Sequence, residues 1–170
     1  MIADIHRRRA LLGAVTLLFA PAAEARMDYV GSVDVVPAMA GTSADTSTGV
    51  VFEDLSRDGV RQADEPGVAG VLVSNGREVV RTAAAGSYAL PAYADMSVMV
   101  QEPAGFDVPV NADGVPQFFY THKPDGTPGE LRYGGLAPTG PLPAAINFPL
   151  VRTARAERFS CVAMGDTQPY

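Results

Sequence analysis

"GVLVSNGREVVRT", residues 70–82, contains two short apolar runs on either side of a polar turn. The first run covers residues 71–73, and the second contains Val79 and Val80. Between them, Asn75 and Gly76 are residue types that accept the positive φ angles of a tight turn. The sequence therefore predicts a β-hairpin at this point.

Other strand signals lie on both sides of this hairpin. They are short apolar runs bounded by turn residues, and no helical period occurs after the N-terminal segment. This pattern predicts an all-β fold, a prealbumin/immunoglobulin-like β-sandwich of about seven strands that occupies residues 47–152. The runs are STGVVFED (47–54), GSYALPAY (86–93), SVMVQEP (97–103), PQFFYTHKP (116–124) and AAINFPLVR (144–152).

The first 25 residues have the composition of an export signal. Basic residues are followed by an apolar stretch and a small-residue cleavage site, which places cleavage between Ala25 and Arg26. Arg8 and Arg9 resemble a twin-arginine motif, and an ordinary Sec signal with basic residues is the alternative. We expect an exported bacterial protein, periplasmic or extracellular, in which residues 26–46 form a linker or a first edge strand.

The chain carries a formal net charge of −6 over 170 residues. This charge argues against nucleic acid and anionic membrane surfaces as partners. No apolar stretch is long enough to predict a membrane span. The single cysteine, Cys161, cannot form an internal disulfide, and its apolar neighbours predict a small buried side chain.

"DLSRDGVRQADE", residues 54–65, has the spacing of a twelve-residue calcium loop, with Gly59 at the sharp turn. Serine and glutamine stand where Asp or Asn is usual, which predicts weak affinity of the extracellular-module kind. The alternative is an acidic hairpin turn that Gly59 and Gly67 would serve equally well. The predicted ligands are Asp54, Ser56, Asp58, the Val60 carbonyl, Gln62 and Glu65.

The end of the chain has a different residue pattern. The run from Phe159 to Met164 is apolar without alternation and leads into Gly165 and Asp166. Such a run is typical of a buried strand in a parallel sheet. We interpret residues 153–170 as a connector followed by the first strand of an α/β domain that is otherwise missing from the chain.

Two further features admit a functional interpretation. His122 could contact a ligand, although a surface or interdomain histidine is the commoner case. The aromatic run from Phe118 to Tyr120 could stack on a carbohydrate, although core packing is the usual role of such residues.

Four stretches together resemble one family. They are residues 49–90, "PQFFYTHKPDGTPGELRYGGLAPTGPLPAAINFPL" (116–150), the connector "VRTARAER" (151–158) and "RFSCVAMGDTQPY" (158–170). The first resembles the prealbumin-like (transthyretin-like) β-sandwich modules of bacterial surface proteins. All four in this order resemble the N-terminal domain and first catalytic strand of bacterial calcineurin-like metallophosphoesterases.

The resemblance implies a phosphoester hydrolase that uses divalent metal ions. Asp166 and Gln168 match the first metal-ligand motif of that superfamily, and the catalytic domain would be the partner of the sandwich. The further Asp, Asn and His ligands of the family have no counterpart after Asp166, since the only histidines are His6 and His122. We therefore expect a truncated, non-catalytic chain that is inactive by itself. The alternative is a stand-alone, calcium-stabilised extracellular binding or adhesion module.

Overall fold

The computed structural model describes residues 29–39, 45–129, 131–132 and 134–154. These residues form strands and turns, with no helix among them. The strands of this part of the chain are β1 (Asp34–Val36), β2 (Thr46–Glu53), β3 (Leu72–Ser74), β4 (Val79–Arg81), β5 (Ser87–Pro91), β6 (Met96–Val100), β7 (Phe106–Asp107), β8 (Phe119–His122) and β9 (Ala145–Arg152).

The first sheet is built around β9. Its order is β1-β9-β2-β5, and β7 also pairs with β9. The strand β9 runs antiparallel to β1 and β7 but parallel to β2. Since β2 and β9 lie far apart in the chain, this sheet closes only through long-range contacts.

The second sheet has the order β4-β3-β6-β8, and all of its pairs are antiparallel. The hairpin predicted over residues 70–82 is confirmed, because Ser74 lies opposite Val79 and Leu72 lies opposite Arg81. Asn75 closes the turn with its side chain, which accepts hydrogen bonds from the backbone N–H groups of Arg77 and Glu78.

The core lies between the two sheets, as the all-β prediction requires. Alternate residues of each strand point into it, so β5 and β6 bury every second side chain. Each large side chain buried in this way contributes about 1.5–3 kcal/mol. The core residues are Val51, Val71, Val73, Tyr88, Leu90, Met96, Val98, Val100, Ile146, Phe148 and Leu150.

The strand β2 is buried on both faces at its end. Val51 belongs to the core, whereas the fully buried Phe52 does not. Because strand side chains alternate, Phe52 and Asp54 lie on the face opposite Val51. That second face is where the acidic turn, residues 54–65, leaves the sheet.

Within the described residues, no helix is long and apolar enough to cross a membrane. The predicted signal segment, residues 1–25, and the predicted strand at 159–164 lie outside the described residues.

Candidate functional site

The acidic turn begins where β2 ends. The backbone N–H of Asp54 donates to the carbonyl of Leu150 at 2.8 Å, which anchors the first residue of the turn to β9. At the other end, the N–H of Glu53 donates to the carbonyl of Pro66 at 2.9 Å. Backbone hydrogen bonds therefore anchor both ends of the turn, the start to β9 and the end to β2.

The carboxylate of Asp54 is buried inside this turn, with the residue only 2% exposed. One carboxylate oxygen accepts the N–H of Arg57 at 2.7 Å and the hydroxyl of Ser56 at 3.1 Å. The other accepts the N–H of Gly59 at 2.8 Å and the phenol of Tyr29. All four groups donate a hydrogen bond to the carboxylate, so the buried charge is compensated.

The carboxylate of Glu65 closes the turn from its far end and is 4% exposed as a residue. Its Oε1 accepts the N–H groups of Leu55 at 2.9 Å and Ser56 at 3.2 Å. Its Oε2 accepts the N–H of Gln62 at 3.0 Å. The side chains of Asp54 and Glu65 thus hold the turn together, in place of a ladder of backbone hydrogen bonds.

The remaining predicted ligands are more exposed. The Asp58 carboxylate accepts the N–H of Val60 at 2.8 Å and the side-chain amide of Gln62 at 2.8 Å. The hydroxyl of Ser56 also lies 3.2 Å from the amide oxygen of Gln62. The polar side chains of the turn therefore bond to one another, and Asp58 lies on the solvent side.

Two positive φ angles give the turn its shape. Gly59 has φ of 75°, as the sharp turn of a calcium loop requires, and Arg57 has φ of 60°. A non-glycine residue with positive φ is uncommon, and the N–H of Arg57 is held by the Asp54 carboxylate.

Burial and hydrogen bonding shift the two titratable groups at the bottom of the turn in opposite directions. Burial raises the pKa of Tyr29, and the adjacent Asp54 carboxylate raises it further. Burial would raise the pKa of Asp54, but the donors Tyr29, Gly59, Arg57 and Ser56 outweigh it and the pKa is lowered. Asp54 is therefore ionised and Tyr29 protonated at neutral pH.

The hydrogen-bond donors around the two buried carboxylates limit how a cation could bind to them. Asp54 accepts four hydrogen bonds and Glu65 accepts three. Calcium would have to replace some of these donors. Two of them, the hydroxyls of Tyr29 and Ser56, belong to side chains, and the others are backbone N–H groups. Among the described residues, no group of three or more His, Cys, Asp or Glu side chains is placed to hold a metal ion. Calcium binding stays a prediction.

The other sequence candidates occupy different places. His122 is 5% exposed at the end of β8, and burial lowers its pKa. Tyr120 packs against the core, whereas Phe118 and Phe119 are exposed and contact each other edge to face with ring centroids 5.3 Å apart.

Several predicted functional positions lie outside the described residues. They include the signal arginines, the cleavage site and both candidate catalytic metal ligands, namely Arg8, Arg9, Ala25, Arg26, Asp166 and Gln168.

Sequence reasoning missed Tyr29, which contacts the acidic turn from 25 positions before Asp54. It also missed Arg61, Arg81 and Asn147, which line a groove on the first sheet. No local pattern marks these residues, because they come from separate parts of the chain and meet only in the folded protein.

The comparison with protein families addresses the part of the chain that contains these elements. Residues 55–134 match the model described as the N terminal of calcineurin-like phosphoesterase. The matched segment begins in the acidic turn and includes all four strands of the second sheet. No curated protein and no solved structure matches the chain. The match supports an N-terminal part of a calcineurin-like phosphoesterase.

Proposed function

We propose that this chain is the non-catalytic N-terminal β-sandwich of an exported bacterial calcineurin-like metallophosphoesterase. The observation that carries the proposal is the family match at residues 55–134, which lies within the two-sheet fold. The prealbumin-like assignment of the sandwich belongs to the same proposal. Its partner would be the catalytic domain, which hydrolyses a phosphoester with divalent metal ions.

Asp166 and Gln168 would contribute the first metal-ligand motif of that catalytic domain. Two metal ions held a few ångströms apart can polarise a phosphoryl group and generate hydroxide. One carboxylate and one amide cannot hold two ions, so the catalytic site needs ligands from further segments.

We therefore expect the purified full chain to hydrolyse no phosphoester. The measurement is turnover of an aryl phosphate in the presence of Mn²⁺, Mg²⁺, Zn²⁺ or Fe²⁺, with the metal-free protein as the reference. Metal-dependent turnover that disappears in Asp166→Ala but persists in Asp125→Ala, an exposed acid of the sandwich, would contradict the non-catalytic role.

A second candidate function is a calcium-stabilised binding module. The observation that favours it is the sharp turn at loop position six, where Gly59 has a φ angle of 75°. This turn places the predicted ligands Asp54, Ser56, Asp58 and Gln62 in contact with one another. A calcium-dependent melt, described in the Discussion, tests this candidate.

A further inference from the structure

The first sheet is open at one point between β2 and β9. Their backbone pairing starts at Val51 and Phe148. Immediately before it, the N–H of Val50 donates to the side-chain oxygen of Asn147 at 2.9 Å, and the phenol of Tyr88 donates to the carbonyl of Ile146 at 2.7 Å. At this point, hydrogen bonds from side chains therefore take the place of the backbone hydrogen bonds between β2 and β9.

Gly49 makes this opening possible. A Cβ at this position would lie 1.8 Å from the carbonyl oxygen of Ile146 and 2.9 Å from the Tyr88 hydroxyl. Any larger residue would displace the Tyr88 hydrogen bond or push the strands apart. The opening is thus a built feature of the sheet and not a frayed end.

A groove of about 800 Å³ lies over this region. Residues of β1, β2, β5 and β9 line it, with Thr48, Ser87 and Asn147 among the polar ones. Arg61 of the acidic turn and Arg81 of β4 add two cations. We call it the anion groove.

The charge of the anion groove opposes the charge of the chain. None of the described residues that line it is acidic, although the chain has a net charge of −6. Elsewhere, Lys123 pairs with Asp95 at 3.0 Å and Arg152 pairs with Glu53 at 2.6 Å.

Neither groove arginine forms an ion pair with a described residue. The guanidinium of Arg81 donates to the carbonyl of Gly70 at 3.1 Å, which restrains its position and leaves its other N–H groups available. At the Arg61 end, Asp34 accepts the side-chain amide of Asn147 at 2.9 Å and the backbone N–H of Arg61 at 3.4 Å. The Asp34 carboxylate keeps its charge, but it forms no ion pair with the guanidinium of Arg61 and does not line the groove.

The length of the groove limits its ligand. Val36 on β1 and Ala89 on β5 both line it, and β9 and β2 lie between those two strands. Three inter-strand spacings amount to roughly 14 Å. A single phosphate or carboxylate is too short to occupy that length, and a long polyanion would be repelled by the acidic remainder of the chain.

We propose that the anion groove binds a short oligo-anion, a ligand with two or three phosphate or carboxylate groups in a row. Arg61 and Arg81 supply bidentate N–H donors for the charged groups. Thr48 and Ser87 also line the groove, and their hydroxyls fit the polar backbone of such a ligand. The assignment is independent of the phosphoesterase proposal, because it uses only the sandwich.

The test uses the full ¹⁵N-labelled chain and two probes, tripolyphosphate and trigalacturonate, with inorganic phosphate as the single-group reference. We expect the amide signals of Thr48, Val50, Ser87 and Ala89 to shift with a probe that has three anionic groups in a row, which should bind more tightly than phosphate. Binding of either probe supports the proposal. Binding of tripolyphosphate alone assigns phosphate as the determinant, binding of trigalacturonate alone assigns carboxylate, and binding of both assigns negative charge.

The matched variants are Arg61→Gln, Arg81→Gln and Arg77→Gln. The first two should each weaken binding about tenfold, as expected for the loss of a charge-assisted hydrogen bond. The third makes the same charge change beside Tyr93, outside the groove, and should leave binding unchanged. If a glutamine variant fails to fold, the wild-type shift map and the charge-preserving Arg→Lys variants decide the question.

Three outcomes would overturn the proposal. One is the absence of amide shifts with either probe at millimolar concentration. Another is a shift map centred on the second pocket, lined by Arg77, His122 and Lys123, with binding lost in Arg77→Gln. The last is equal affinity of wild type and the Arg61→Gln, Arg81→Gln double variant.

Discussion

Two buried tyrosines perform the same task for acceptors of different charge. The hydroxyl of Tyr29 donates to the ionised carboxylate of Asp54, whereas that of Tyr88 donates to the neutral carbonyl of Ile146. Both residues are almost fully buried, at 5% and 6% exposure. A hydrogen bond to a charged group contributes about 1.5–3 kcal/mol and a neutral one about 1 kcal/mol. The pair is therefore a natural comparison within one fold.

We expect Tyr29→Phe to lower the free energy of unfolding at neutral pH by about 1.5–3 kcal/mol, and Tyr88→Phe by about 1 kcal/mol. The pKa of Asp54 is lowered in the folded protein, so its contribution is present above the unfolded pKa of about 3.9 and is lost as pH falls through the folded pKa. The cost of Tyr29→Phe should shrink in that acidic range. The measurement is urea denaturation between neutral pH and about pH 2.

Tyr88→Phe serves as the control for pH, because its acceptor does not titrate. Its cost should stay constant over the same range. A Tyr29→Phe cost that is equally constant, or no greater than that of Tyr88→Phe, would show that the phenol does not stabilise the ionised Asp54.

At the scale of the element, calcium distinguishes two interpretations of the acidic turn, namely a metal-binding loop and a turn held by hydrogen bonds alone. If calcium binds only the folded form, it raises stability by about 0.4–1.4 kcal/mol at one to ten times Kd. That corresponds to a few degrees in melting temperature for a domain of this size. Glu65→Gln should abolish most of the calcium-induced shift, because it removes the charged bidentate ligand.

The measurement is a thermal melt with millimolar calcium and with chelator at matched ionic strength. Glu65→Gln also loses an acceptor for the Gln62 N–H, so the calcium-induced shift is compared and not the absolute melting temperature. Asp113→Asn, in an exposed turn elsewhere, should keep the full shift. Superimposable curves up to about 10 mM calcium would assign the turn to hydrogen bonding alone.

Sequence predicted the elements whose signal is local. The hairpin of β3 and β4 follows from Asn75 and Gly76, and the position of β2 follows from its apolar run. The sequence did not predict β7, which has two residues and exists only because β9 pairs with Phe106 and Asp107. The Tyr29 contact and the anion groove were missed for the same reason, since both join residues that are distant in the sequence.

At the scale of the whole molecule, the family match and the fold divide the sandwich differently. The match at 55–134 includes every strand of the second sheet but leaves β1, β2 and β9 outside. Those three strands form most of the first sheet, which carries the anion groove. The anion groove draws on both parts of the sandwich, because Arg61, Arg81 and Ser87 lie inside the matched segment whereas Thr48 and Asn147 lie outside it.

Export is the remaining proposal that concerns the whole chain, and we propose Arg8 and Arg9 as its determinants. A twin-arginine route carries folded proteins, and the first sheet can close only after β9, at residues 145–152, has been made. We expect Arg8→Lys with Arg9→Lys to prevent delivery to the periplasm although the charge of the segment is unchanged. Arg7→Lys, a change of the same kind next to the pair, should be exported normally. The measurement is the amount of cleaved protein in periplasmic and cytoplasmic fractions, and normal cleavage in a strain without the twin-arginine translocase would assign export to the Sec route.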